Sequence, residues 1–179
     1  MKNLLGLAAL LLLLNACHRY EEEKQALRDL SRDWNDTYAL VNAFVDQTET
    51  LQIDWQERYD RMQLTRAEMA AFDEGTLAVL SEIKTTCSEH GVVYDSIAAA
   101  VEAFAIDWEE QTGRLEDLET LVDDDVRVPD LGEQVTAYRA VLAAVPGRLR
   151  AWRIRLENTH EACQQNCQQF ERLAAEVGL

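Results

Sequence analysis

The chain has 179 residues, 47% of them hydrophobic, with 17 Lys and Arg against 33 Asp and Glu, a net charge of -16. That size supports one domain with a real core rather than two, and so negative a field repels phosphate backbones, so no nucleic acid partner is expected. Seven Gly and two Pro are too few for a turn-rich sandwich or barrel, and the apolar content is too high for a disordered acidic tail, which leaves an all-α protein.

Met1 to Cys17 reads MKNLLGLAALLLLLNAC. One cation, Lys2, precedes an apolar run from Leu4 to Leu14. A run of about 11 residues suits the core of a signal peptide and falls short of the roughly 20 that a membrane span needs. It ends in Leu14-Asn15-Ala16-Cys17, which resembles the lipobox of bacterial lipoproteins, where a small residue precedes a Cys. The resemblance covers residues 1–17 only. It implies cleavage before Cys17, lipidation of the Cys17 thiol by a diacyl group, and acylation of the new amino terminus. His18 stands where an Asp would mark inner-membrane retention, so the resemblance implies an outer-membrane, lipid-anchored protein on the periplasmic face. Residues 1–16 are therefore expected to be a lipoprotein signal peptide and residues 17–179 a helical bundle domain.

From Arg19 to Leu64 there is neither Gly nor Pro. Leu27, Leu30, Trp34, Tyr38, Val41, Phe44, Val45, Leu51, Trp55, Tyr59 and Met62 recur at spacings of three and four or their sums, the mark of a helix with one buried stripe. Thr65-Arg66-Ala67-Glu68 has the pattern of a capping box and starts a second helix, with Met69, Phe72, Thr76, Leu80, Ile83 and Cys87 inside and Gly91 as its stop. A third helix is expected from about Asp95 to Asp123, carrying Ile97, Val101, Phe104, Trp108, Leu115, Leu118 and Val122. The acidic segment 123–130, with Pro129, reads as a loop. A fourth helix follows through Val135, Tyr138, Leu142, Val145, Leu149, Trp152, Leu156, Cys163, Phe170, Leu173 and Val177, with Pro146-Gly147 expected to kink or break it. A heptad period held this long argues for an antiparallel four-helix bundle with coiled-coil-like packing. With turns at residues 65, 91 and 126, the first and fourth helices outrun the others and extend as a stalk. The same register sets Trp55 level with Gly75, Trp108 level with Trp55, and Pro146 close to both.

Cysteine and histidine supply the one chemical constellation. Besides Cys17 there are Cys87, Cys163 and Cys167, with His90 and His160 beside them in Cys87-x2-His90 and His160-x2-Cys163-x3-Cys167. In an oxidising compartment the plain reading is a disulfide from Cys87 to Cys163, with Cys167 as the alternative partner. A bridge within Cys163-x3-Cys167 is disfavoured, because Cβ atoms four apart on a helix are about 5–6 Å apart and a disulfide wants roughly 3.5–4.5 Å. Closing a loop of about 75 residues adds on the order of 4 kcal/mol when unstrained. The alternative is a metal site for Zn or Cu(I) with ligands drawn from Cys87, His90, His160, Cys163 and Cys167.

Other patterns carry less. Glu157-x2-His160 is half of a bundle di-iron motif whose other half is missing. No Cys-x2-Cys-His offers haem attachment, and Asp123, Asp124, Asp125 and Asp130 lack the spacing of a calcium loop. Neither a Gly-rich phosphate loop nor a nucleophile elbow is present. The basic cluster Arg148, Arg150, Arg153 and Arg155 is expected to pair with Glu102, Asp107, Glu109 and Glu110 of the third helix.

The expectation is a lipid-anchored, non-catalytic structural or protein-interaction module of the cell envelope. It would hold the membrane through its N-terminal lipid, meet an envelope protein partner, and use no cofactor. The alternative is a metal-binding or redox-responsive lipoprotein built on the Cys/His cluster. An enzyme ranks third.

Overall fold

A computed structural model describes residues 2–178, with side chains from Arg19 onward; the Cys17 side chain and the leader's side chains lie outside the described set. The chain is an all-α bundle of α1 (Lys2–Arg61), α2 (Arg66–Met69), α3 (Glu74–Asp123) and α4 (Leu131–Glu176). None of the helices, among the described residues, is long and apolar enough to cross a membrane.

The expected capping box is present. Thr65 N donates to Glu68 Oε2 at 2.6 Å and Glu68 N donates to Thr65 Oγ1 at 3.3 Å. It opens only the single turn α2, however, because a second cap follows at once. Thr76 N donates to Asp73 Oδ1 at 2.9 Å, and from there α3 runs without interruption to Asp123. The expected stop at Gly91 is therefore absent, and the sequence read as a second and a third helix is one. Gly91 is buried inside α3 because its missing side chain makes room for a neighbour: any Cβ there would overlap Cζ2 and Cη2 of Trp55. Nor does Pro146 end α4. The segment 124–130 is a loop as expected. Asp125, at φ 57°, closes α3 with Val126 N bonded to Leu121 O at 2.9 Å and Asp125 N to Val122 O at 3.2 Å, the paired bonds of a Schellman cap.

The chain forms two compact units, one of residues up to 40 with 106–146, the other of residues 41–105 with those from 147 on. α1, α3 and α4 contribute to both. The expected two-helix stalk is thus replaced, among the described residues, by α3 accompanying α1 and α4 in each unit.

The first unit is organised on Trp34 of α1, only 1% exposed. Its indole stacks on Trp108 of α3 with ring centroids 4.1 Å apart and meets the Tyr138 edge of α4 at 5.6 Å. Such ring pairs contribute about 0.5–1.5 kcal/mol beyond the area they bury. Trp34 Nε1 donates to Thr112 Oγ1 at 2.8 Å, and that hydroxyl donates to Trp108 O at 2.8 Å, so the buried indole donor is satisfied. Beside the loop, Lys24 Nζ reaches Asp125 Oδ1 at 3.0 Å, which holds the ammonium pKa above its ordinary value. The Tyr20 hydroxyl bridges Val126 O and Val128 N at 3.2 Å each.

In the second unit, Phe44 and Phe104 pack on Trp152 with centroids 6.2 and 5.6 Å away. The guanidinium of Arg148 lies 4.9 Å over the Phe104 ring and that of Arg153 lies 5.8 Å over Phe44. None of Arg148, Arg150, Arg153 and Arg155 pairs with a carboxylate among the described residues, contrary to expectation. With α3 continuous, Asp107, Glu109 and Glu110 belong to the first unit and the four arginines to the second.

Candidate functional site

Below the aromatic layer of the second unit, α3 supplies Cys87 and α4 supplies Cys163 and Cys167. All three are seam positions, buried to 0%, 2% and 6% exposure. Their Sγ atoms lie within 4.8 Å of one another, the only group of three or more potential metal-ligating side chains so gathered among the described residues. Cys163 Sγ and Cys167 Sγ are 3.9 Å apart. The expected Cys87–Cys163 disulfide, and its Cys87–Cys167 alternative, are not formed; all three are free thiols in van der Waals proximity rather than at the roughly 2.05 Å of a sulfur–sulfur bond.

α1 closes the site from its third side. Trp55 lies over Gly91 and its Nε1 donates to the Cys87 carbonyl at 3.0 Å, while Tyr59 stacks on Trp55 at 5.6 Å. One helical turn from Trp55, Arg58 Nε bonds Asp54 Oδ2 at 2.8 Å. The opposite flank is apolar: Met62, Phe72, Leu80, Ile83 and Phe170 share one buried cluster with the three thiols. Two forces act on the thiols. The neighbouring Cys87 thiol and then burial push Cys163 well above the ordinary thiol range, and burial followed by the Cys163 neighbour pushes Cys167 up to about 12. Arg58 opposes both shifts, since a guanidinium nearby favours thiolate.

The histidines do not join the sulfurs. His160 Nδ1 shares a 3.2 Å hydrogen bond with the hydroxyl of Tyr94, itself fully buried, and stands 3.9 Å from Asp54 Oδ2. His90 is half-buried on α3, with Nδ1 enclosed and without a hydrogen-bond partner among the described residues, and that burial lowers its pKa. Because α3 and α4 are antiparallel, stepping from Cys87 to His90 and from Cys163 to His160 moves one turn in the same direction, away from the thiol layer and toward Tyr94. Tyr94 and Arg58 were missed in the sequence. Tyr94 continues the 87–91–94 seam and becomes legible only once the helix is carried through Gly91; Arg58 follows Asp54 at i+4, an ordinary surface-pair pattern that does not announce a site.

Comparison with protein-family models, curated proteins and solved structures finds no match for this chain.

Proposed function

We propose that this chain is a lipid-anchored, non-catalytic structural or protein-interaction module of the bacterial envelope, held on the periplasmic face of the outer membrane. The observation that carries the reading is the closeness of the candidate lipidation residue to the folded body. Cys17 precedes Lys24, the first buried side chain among the described residues, by seven positions. Even fully extended, that stretch spans at most about 25 Å. A lipid at Cys17 would hold the first unit at the membrane surface with no long tether, as suits a protein that acts by position. Two or more acyl chains give anchoring that one chain does not. The strongly acidic composition favours partners that present basic surfaces.

The test is Cys17→Ser in the full chain, expressed in a bacterial host. The reading expects loss of metabolic labelling by an alkyne fatty acid and release from the membrane fraction. It also expects that an envelope protein crosslinked to the anchored chain is lost from the Cys17→Ser chain. Continued labelling, or membrane retention without Cys17, contradicts it.

A further inference from the structure

Going beyond that reading, and using none of residues 1–18, we propose that Cys87, Cys163 and Cys167 form a three-thiolate binding site for a soft monovalent cation, Cu(I). The spacing of the sulfurs comes first. A cation bonded at about 2.3 Å to three thiolates in one plane sets the sulfurs about 4.0 Å apart. Cys163 and Cys167 already stand at 3.9 Å, and all three sulfurs fall within 4.8 Å of one another. Small rotations about Cβ bring them to that triangle.

The count of thiols points the same way. A disulfide uses two sulfurs and strands the third in the core. Cys163 and Cys167 are one turn apart on α4, where the Cβ separation opposes a direct bond but suits two ligands chelating one ion. A cation uses all three.

Ligand chemistry selects the ion. The gathered group contains sulfur alone, with no carboxylate or imidazole, and thiolates favour Cu(I) over cations that take oxygen ligands. Zn(II) also takes thiolates but closes its structural sites with four ligands, and both histidines lie outside the group. The thioether of Met62, in the same buried cluster, adds a further soft donor to the surroundings. Binding makes three copper–sulfur bonds as three S–H protons leave for solvent, and no electron changes hands. The complex then carries two negative charges, and Arg58 is the cation that α1 brings to bear on Cys163 and Cys167.

The full chain in a Cys17→Ser background keeps these three thiols as its only ones. Purified anaerobically with a non-thiol reductant, it is titrated with Cu(I) supplied as the bicinchoninate complex. One Cu(I) per chain should leave the chelator, and X-ray absorption at the copper edge should read three sulfurs at about 2.3 Å. Cys87→Ser, Cys163→Ser and Cys167→Ser should each weaken binding at least about 100-fold, whereas His90→Ala and His160→Ala leave it unchanged. Circular dichroism confirms that each variant remains helical, and the absorption measurement needs no variant. Two-sulfur coordination, undiminished binding in Cys167→Ser, tighter retention of Zn(II) that depends on His90, or failure of the reduced chain to take Cu(I) would each overturn the assignment.

Discussion

Trp55 lies across Gly91 so closely that a single methyl group at that position would enter its ring, and its indole nitrogen is bonded to the Cys87 carbonyl one turn away. This contact fixes how α1 meets α3 beside the thiol layer. It also accounts for a glycine in the interior of a 50-residue helix, where Gly is intrinsically unfavourable.

Gly91→Ala should therefore destabilise the protein although alanine is the better helix former. The propensity gain is about 1 kcal/mol. Overpacking against a ring pinned by its own hydrogen bond costs about 1–3 kcal/mol. Denaturant unfolding of the single variant should show a net loss. In a Trp55→Ala background the sign reverses, and Gly91→Ala becomes stabilising.

Thr112 is the partner that lets Trp34 be buried. Thr112→Val keeps the shape but strands the indole donor, and the expected cost is about 1–3 kcal/mol in urea unfolding. A loss below that range would mean that Trp34 finds another acceptor.

The buried nitrogen of His90 makes a pH prediction. Burial lowers its folded pKa below the ordinary 6.5, so the unfolded chain takes up the proton first as pH falls. The stability of neutral His90 is complete above about pH 6.5 and is lost as pH drops through the lowered folded value. Melting temperatures measured from neutral pH to mildly acid should fall more steeply for the native chain than for His90→Leu. Parallel curves would contradict this.

Arg148 stabilises through a ring rather than a carboxylate. A double-mutant cycle of Arg148→Gln with Phe104→Leu should give a coupling of about 0.5–1 kcal/mol, and the cycle of Arg148→Gln with Glu102→Gln should give none.

Much of this architecture was readable because burial follows the helical period. All seven stripe residues expected from Ile97 to Val122 are buried, as are Leu27, Leu30 and Trp34, whereas Tyr38, Met69 and Val177, expected on the same stripes, are exposed. What misled was local punctuation. Gly91 has the appearance of a helix stop, yet its role is to accept a ring from a helix more than 30 positions earlier, a tertiary demand with no local signature. Thr65 has a sound capping box, while Asp73, eight residues on, caps the longer helix. That one false turn misplaced the pairings: Trp55 faces Gly91 instead of Gly75, and Trp108 stacks on Trp34 instead of lying level with Trp55. The thiol cluster survived the error because Cys87 and Cys163 are seam residues in either register. With α3 unbroken, reflection through the loop at residue 126 carries Cys87 to residue 165, between Cys163 and Cys167, so both are brought to it. The histidines were grouped with the thiols on spacing alone, and a helical step of three turns them toward the next layer.

Above all, the proposal is that the three core cysteines act together as thiols, and mass spectrometry on the Cys17→Ser chain, which keeps only those three, produced in the oxidising periplasm of a bacterial host, probes this without an intermediate step. Alkylation under denaturing conditions, with and without prior reduction, counts the thiols, and a native spectrum weighs any bound ion. Three alkylated thiols are expected both with and without reduction, together with one copper per chain in the native spectrum. A single alkylated thiol before reduction and three after would show a disulfide among the three and contradict it.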